Sequence, residues 1–583
     1  MTIRSLVGLA AVGIWPFLCA TVVAGAARPA TDVRTIDGTD NHMLDPTWGA
    51  THTPLPRQAA GSGHAGAYYP GDGSGQRFAG GPGSPSALPE PRLVSKLLFD
   101  SPLASQASTQ RLSSMVWQWG QFIDHDITLV ETSSDPVEAA PIEVDPSDPM
   151  APGIPFQRSR FAAGTGTSAA NPRQQLNSIT SYIDASNIYG SDPVRAATLR
   201  AAGGRLRMSA GNLLPYNLTG MPNAGGTSSS MMLAGDVRAN EQLALTAMHT
   251  LFVREHNRLV GLLETDFPIW DDEQLYQTAR KMVGAELQAI TYREFLPALL
   301  GKNDPLLPKA DDFQYDAQLN PSISNEFATS IYRFGHSMLP SHLLLAPVDG
   351  LPAERVPLKN AFFTPDFFTP DHTGSPQRIE RLLLGLTQQM AMEIDPMAID
   401  DVRNFLFGPP GAGGLDLTAL NIQRGRDHGL PDYNAMRAAY DLDPVASLAD
   451  ISQDPAVVQT LASLYDSVDS VDAWVGALAE DHLPGAAVGE LIRAAMLDQF
   501  VRLRDGDRYF FSGDAELVDN PAVTGILDLE SITLSQILAW NTTLSELPEN
   551  VFLIAVPEPT SLLLFLPMTL GICLCLRRKR FLP

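Results

Sequence analysis

The sequence predicts a mainly α-helical fold, built as one large domain with few short strands. Three observations predict it. Apolar residues recur at spacings of three and four over several long stretches. Alternating, strand-like stretches are few. Nothing between Arg34 and about Phe552 reads as a linker. A hydrophobic fraction of 44% with 18% charged residues is enough to bury a large core. The formal net charge of −25 repels phosphate backbones and argues against nucleic acid as a partner.

The elements follow in chain order. Leu112, Met115, Val116, Trp119, Phe122 and Ile123 share a helical stripe. Helical periodicity also marks Glu241 to Leu263, Asp272 to Glu294, Phe327 to His336, Gln377 to Met392 and Gly489 to Arg504. Gly61 to Ser86 is rich in Gly, Ser and Pro, and Asp135 to Pro155 in Pro and Asp; both read as loops. No internal repeat is present.

Both ends read as targeting segments. Residues 1–26 have a basic start at Arg4, an apolar run, and Ala24 and Ala26 in the small-residue pattern of a signal-peptide cleavage site. Residues 27–555 then form the domain. In 556–583, an apolar run from Leu562 to Leu576 precedes Arg577, Arg578, Lys579 and Arg580. The run is short for an independent membrane span. The Val556-Pro557-Glu558-Pro559 quartet before it resembles the PEP-CTERM sorting signal of Gram-negative bacteria. That resemblance implies a sorting machinery as partner and a cell-surface or extracellular destination, with the tail as a transient anchor. Cys19, Cys573 and Cys575 all lie in these end segments, so the body has no disulfide and must rely on its core.

The stretch "WGQFIDHDIT" places Gln121, Asp124, His125 and Asp126 inside an apolar helix. With about 100° per residue, Gln121, Asp124 and His125 share one face, while Asp126 points well away from Asp124. A ligand pocket on one flank and an ion on the other fit this pattern. A helix end with satisfied polar groups fits it too.

Further motifs resolve the choice. "QWGQFIDHDIT" (118–128), "ITSYIDASNIYGS" (179–191), "AGDVRANEQ" (234–242), "MHTLFVREHNRL" (248–259) and "YRFGHSMLP" (332–340) occur in that order. "LDLTALNIQRGRDHGLPDYN" (415–434) and "FVRLRDGDRYFF" (500–511) follow, and "RTIDGTDNH" (34–42) precedes them. Together they resemble the animal-type haem peroxidases of the peroxidase–cyclooxygenase superfamily. The resemblance runs from about residue 34 to 552 and implies haem b as cofactor and hydrogen peroxide as substrate, reduced by way of a ferryl haem.

The resemblance also implies roles. His125 matches the distal histidine, which takes a proton from one peroxide oxygen and returns it to the other. Arg238 matches the catalytic arginine that stabilises charge on the departing oxygen. Gln121 matches the distal glutamine. His336 matches the proximal iron ligand, and Asn421 the asparagine that accepts a hydrogen bond from it. Asp124 and Glu241 match the carboxylates that form ester links to haem. Gln242 stands where the strongest chloride oxidiser of the family has a methionine, which puts chloride oxidation in doubt. Arg333 and Arg424 are candidates for the haem propionates. Asp126, with Thr180, Asp184, Ser186 and the carbonyl of Tyr182, matches a Ca²⁺ site of hard oxygen ligands. His249 and His256 take structural places in the family.

Two departures matter. Asp40 stands where the animal enzymes have a cysteine, and "IPFQRSR" (154–160) also lacks one, which points to a bacterial branch. A radical-forming tyrosine would sit three residues before His336 in the fatty-acid dioxygenases; that position is Arg333, and the nearest tyrosine is Tyr332. The expected activity is therefore oxidation of iodide, bromide, thiocyanate or phenolic donors. The alternatives are a fatty-acid dioxygenase and a surface scaffold without haem.

Overall fold

The computed structural model describes residues 27–58, 88–100, 106–167, 171–348, 350–368 and 377–555. The segments 1–26 and 556–583 and the Gly61–Ser86 loop lie outside the described residues. Among the described residues, no helix is long and apolar enough to cross a membrane.

The fold is mainly helical, as expected. The helices that matter for the site are labelled α1 (Ser114–Ile127), α2 (Leu243–Asp266), α3 (Asp272–Ile290), α4 (Arg378–Gln388), α5 (Leu417–Asp427) and α6 (Glu490–Asp505). Two small antiparallel pairs complete it: β1 (Thr53–Pro54) with β2 (Leu176–Asn177), and β3 (His342–Leu345) with β4 (Glu354–Pro357). Leu343 pairs with Val356 in the second. One hydrophobic core runs continuously from Leu55 to Phe552.

Local chemistry sets the ends of each helix. The Ser113 hydroxyl caps α1 by accepting from the Met115 N–H at 3.2 Å, and Thr128 ends it in an extended conformation. Gln242 caps α2 through its side-chain oxygen, which accepts from the Ala244 N–H at 2.6 Å. Asp271 and Gln274 form a reciprocal capping box on α3. Asp416 caps α5.

The apolar stripe of α1 turns inward onto α2. Trp119, Phe122 and Ile123 are fully buried, and the Phe122 ring stacks on Phe252 at 5.2 Å. Each such burial stabilises by roughly 2–3 kcal/mol. Residues 551–554 return to the start of α1, where the Ser113 N–H donates to the Phe552 carbonyl at 2.9 Å. Beyond α3 the backbone widens into a π-helical turn, Thr291–Phe295, and the Thr291 hydroxyl accepts from Trp119 Nε1 at 3.2 Å.

One expected helix is broken. The periodic run Phe327 to His336 forms a short helix, Asn325–Thr329, and a separate 3-10 turn, Ile331–His336. Ser330 leaves helical geometry at φ −125°, ψ −69°. Arg333 turns back so that its Nε donates to the Ala328 carbonyl at 3.2 Å, satisfying the end of the first piece.

Glu294 is buried, and one carboxyl oxygen accepts from the Leu534 N–H at 2.7 Å. Burial pushes its pKa up from 4.5 to about 7. The folded state therefore favours the neutral acid, and stability falls as pH rises from 4.5 to about 7. Glu294→Gln keeps the acceptor and removes the charge. It should raise the melting temperature at pH 8, equivalent to about 2 kcal/mol, and leave it unchanged at pH 4 by calorimetry.

Gly235 sits where a side chain has no room: a Cβ there would lie 2.4 Å from the Ser186 carbonyl oxygen and 2.5 Å from the Gly190 nitrogen. Gly235→Ala should destabilise the protein by about 3 kcal/mol, read as a lowered urea midpoint.

Candidate active site

α1 presents Gln121, Asp124 and His125 to a cavity of about 340 Å³. Asp126, on the next position, is fully buried on the other flank. The helical wheel separated these residues correctly. A second wall of the cavity carries His336, Arg333, Tyr332 and Phe334 from the 3-10 turn, and Leu417, Leu420 and Arg424 from α5. Its remaining lining is largely apolar, including Leu358, Phe362, Val402, Leu406 and Phe407. A cavity lined by two histidines from separate elements, apolar side chains and a few cations fits an anionic metal macrocycle.

On the first wall, burial and then the Arg238 charge hold the His125 imidazole well below its ordinary pKa, so the ring is neutral. Its Nε2 lies 3.8 Å from Glu241 Oε2. Arg238 comes from the segment just before α2. Its Nε and Nη2 each donate to Asp236 at 2.9 Å, Nη2 also donates to the Thr128 carbonyl, and Nη1 stands 3.6 Å from Asp124 Oδ2. Burial raises the Asp236 carboxyl, but Arg238 outweighs it and holds that carboxyl well below the usual carboxylate range.

Asp124 and Glu241 retain 29% and 28% side-chain exposure, which opens into the cavity rather than to bulk water. Burial pushes Asp124 up to about 6 and Glu241 up to about 7, each opposed by Arg238. Gln121 Nε2 donates to Glu241 at 3.3 Å, and its oxygen accepts from Gln242 Nε2 at 3.0 Å. Gln242 also donates to Gln118 while capping α2, so its amide is fully engaged.

On the second wall, burial and then Arg333 pull the His336 pKa down to about 3, leaving a neutral imidazole suited to a metal. Asn421 from α5 lies beside it, as expected, but the sense of their bond is reversed. Asn421 Nδ2 is 2.7 Å from His336 Nδ1, while Asn421 Oδ1 accepts from Arg333 Nη1 at 3.0 Å. The cause is Arg333, a half-buried guanidinium with no carboxylate hydrogen-bonded to it, which takes the amide oxygen. A half-turn of the amide would restore the expected bond if an anion took Arg333.

The two expected propionate partners are not equivalent. Arg333 has its charge free for an anion. Arg424 lines the cavity, but its Nη1 is committed to Asp427, Ser159 and the Gln157 carbonyl. Arg424 is thus the poorer anion partner.

The expected Ca²⁺ residues also come together. Asp126 Oδ2 accepts from the backbone N–H of Asp184 and Ala185, and Oδ1 from the Ser186 hydroxyl at 2.9 Å. The Thr180 hydroxyl donates to Asp184 Oδ1 at 3.1 Å. Asp184 Oδ2 is buried and accepts no hydrogen bond. Burial, and then the Asp184 charge, push the Asp126 carboxyl up; burial does the same to Asp184, against Arg34 and Arg280. Two buried carboxyls with an unpartnered oxygen suit a hard cation. Tyr182 contributes no side-chain oxygen, because its hydroxyl donates to the Trp48 carbonyl at 2.7 Å. Among the described residues, no cluster of three or more His, Cys, Asp or Glu is placed to hold a metal, so a cage here needs the neutral oxygens. His256 is hydrogen-bonded to Tyr189 and the Gly204 carbonyl, and His249 packs edge-on against Phe122.

Sequence reading did not single out Asp236, Asn187, Phe362 or Phe407. Asp236 was visible as a carboxylate two positions before Arg238. Asn187 lay inside the "ITSYIDASNIYGS" motif. The two phenylalanines come from separate loops and carried no signal.

Known proteins match this chain over most of its length. The profile described as "Animal haem peroxidase" matches residues 33–552. Peroxidasin of Drosophila melanogaster is 34% identical over 90% of this chain, and the match covers 36% of that protein, so the chain spans about a third of that relative's length. The solved structure of Peroxidase A from Dictyostelium discoideum superposes with a TM-score of 0.75 at 30% identity, covering 90% of this chain and 100% of that one. A fatty acid alpha-dioxygenase of Arabidopsis thaliana superposes with a TM-score of 0.70 at 18% identity, covering 92% of this chain and 88% of that one, which is a likeness of fold alone. The chain belongs to the animal haem peroxidase family.

Proposed function

We propose that this protein is a haem peroxidase that reduces hydrogen peroxide to water and oxidises small anions or phenolic donors. The observation that carries the reading is the pair His125 and His336 lining one cavity, with Arg238 beside them and its Nη1 3.6 Å from Asp124. His336 would hold the haem iron through Nε2, with Nδ1 backed by Asn421, and Arg333 would hold a propionate. Bound haem supplies the redox-active iron that passes electrons from donor to peroxide.

The protein's own groups move the protons. His125 Nε2, as a neutral base, takes the proton from one peroxide oxygen and delivers it to the other, so that this oxygen leaves as water. Arg238, a fixed cation in a low-dielectric pocket, stabilises the negative charge that develops there. Gln121, held between Glu241 and Gln242, orients water or an anion beside His125. Asp124 and Glu241 are the candidates for ester links to haem. The apolar lining with Phe362 and Phe407 suits a flat aromatic donor.

Ca²⁺ held by Asp126, Thr180, Asp184, Ser186 and the Tyr182 carbonyl would neutralise the buried carboxylates. An exported, cell-surface location is the reading of the terminal segments.

A second reading is a fatty-acid dioxygenase. Tyr332 favours it, because its buried hydroxyl has no hydrogen-bond partner and the residue lines the cavity. Its place four positions before His336 opposes it. Oxygen consumption with linoleate in the absence of peroxide would decide for it.

The deciding experiment is the absorption spectrum of the haem-loaded protein before and after one equivalent of hydrogen peroxide. A Soret band that shifts with peroxide and returns with iodide or bromide supports the reading; its absence after haem supplementation overturns it. His336→Ala should lose the Soret band. His125→Ala should keep it and react with peroxide about 10²-fold more slowly or worse.

Chelation with EGTA should lower the melting temperature, and Ca²⁺ but not Mg²⁺ should restore it. In Asp184→Asn, whose amide keeps the Thr180 contact, the chelator should have little further effect.

A further inference from the structure

We propose that Asp236 is a positioning residue that sets two catalytic groups at once, clamping Arg238 and holding the His125 proton on Nδ1, so that Nε2 faces the cavity as the base. This inference deepens the peroxidase reading and rests on it.

Geometry is the first argument. Asp236 is buried and accepts three hydrogen bonds from one residue: from the Arg238 N–H at 2.7 Å, Nε at 2.9 Å and Nη2 at 2.9 Å. With two guanidinium nitrogens held this way, the fork is fixed in its plane and Nη1 is left to face Asp124. The same Asp236 Oδ1 lies 3.6 Å from His125 Nδ1, a buried nitrogen with no hydrogen-bond partner. That separation is longer than a hydrogen bond, and such contacts at catalytic histidines tighten in the working complex.

The charge around the ring is the second argument. His125 faces Asp236 and Glu241 as carboxyl groups, and Arg238 and His249 as basic ones. Its Nε2 is 3.8 Å from Glu241, so neither carboxyl group is bonded outright. Asp236 is ionised, because Arg238 is clamped to it. Glu241 is pushed up to about 7 and its charge is weakened at neutral pH. An N–H dipole turns toward the stronger anion. The proton therefore belongs on Nδ1, and the lone pair on Nε2.

The fold fixes the spacing. The Asp236 N–H donates to the Asn187 carbonyl at 2.9 Å. Asn187 Nδ2 donates to the Phe122 carbonyl of α1 at 2.7 Å, and the Asn187 N–H to Asp126 at 3.2 Å. One residue thus joins the helix that carries His125 to the segment that carries Asp236. Gly235 allows the close approach.

The test uses the full chain labelled with ¹⁵N-histidine, with Asp236→Asn beside it. Long-range ¹H–¹⁵N spectra of the haem-free protein at neutral pH report which ring nitrogen carries the proton. The His125 signals are assigned by their loss in His125→Gln. Wild type should show Nδ1–H, and Asp236→Asn a shift of population to Nε2–H. After haem loading, Asp236→Asn should keep the wild-type Soret band while hydrogen cyanide, which must lose a proton to the base, associates about tenfold more slowly or worse. Asp236→Glu, which restores the carboxylate, should recover part of that rate. Nε2–H in the wild-type protein overturns the proposal, as does a wild-type tautomer with wild-type cyanide association in Asp236→Asn. If Asp236→Asn fails to fold, the wild-type tautomer alone decides. A wild type that binds haem but ignores peroxide would sink the peroxidase reading while leaving the tautomer result readable.

Discussion

Much of the site depends on one residue's three polar contacts. Asn187 gives its side-chain amide to the α1 carbonyl of Phe122, its N–H to the buried Asp126, and its carbonyl to the N–H of Asp236. α1 carries His125, and the segment at Asp236 carries Arg238. The candidate base and the candidate cation are thus registered to each other through the backbone and the side-chain amide of Asn187. Hydrogen bonds inside a dry core leave little freedom, so the spacing between the two groups is set by the fold.

The same turn carries two neighbouring buried carboxyl groups. Asp126 and Asp184 are both buried, and their hydrogen bonds come from neutral donors: backbone N–H groups and hydroxyls. Two carboxyls so placed resist ionising together, and one oxygen has no donor at all. The cavity wall on the other side shows the opposite imbalance. Arg238 is matched by Asp236, whereas Arg333 has no carboxylate hydrogen-bonded to it and borrows the Asn421 oxygen. Buried charge without a partner is expensive. A cation at the first place and an anionic cofactor at the second would relieve both.

Legibility differed by element. α1 and α2 could be read because their apolar stripes repeat cleanly and Ser113 and Gln242 cap them. The wheel on α1 also separated Asp126 from its neighbours, because helical geometry alone fixes that angle. The run from Phe327 to His336 misled, because its periodicity continues across Ser330 while the backbone does not. Periodicity records which residues want burial; it does not record that Arg333 folds back onto the Ala328 carbonyl. Asn421 was placed beside His336 correctly, yet the direction of its bond depends on Arg333, a competitor 88 positions away in sequence.

What the sequence determined by itself was the inventory: a helical body, a histidine and carboxyl cluster on one helix face, and a set of motifs whose order names the family. Residue type and local spacing are enough for these, because helix geometry and capping act over a few positions. Only the tertiary structure decided that His125 and His336 share one cavity, that Asp236 stands between the base and the cation, that Arg424 is already committed to Asp427, and that Phe362 and Phe407 meet at the cavity lining. Those outcomes depend on long-range packing, where position follows from the whole core closing at once and no local pattern carries the information.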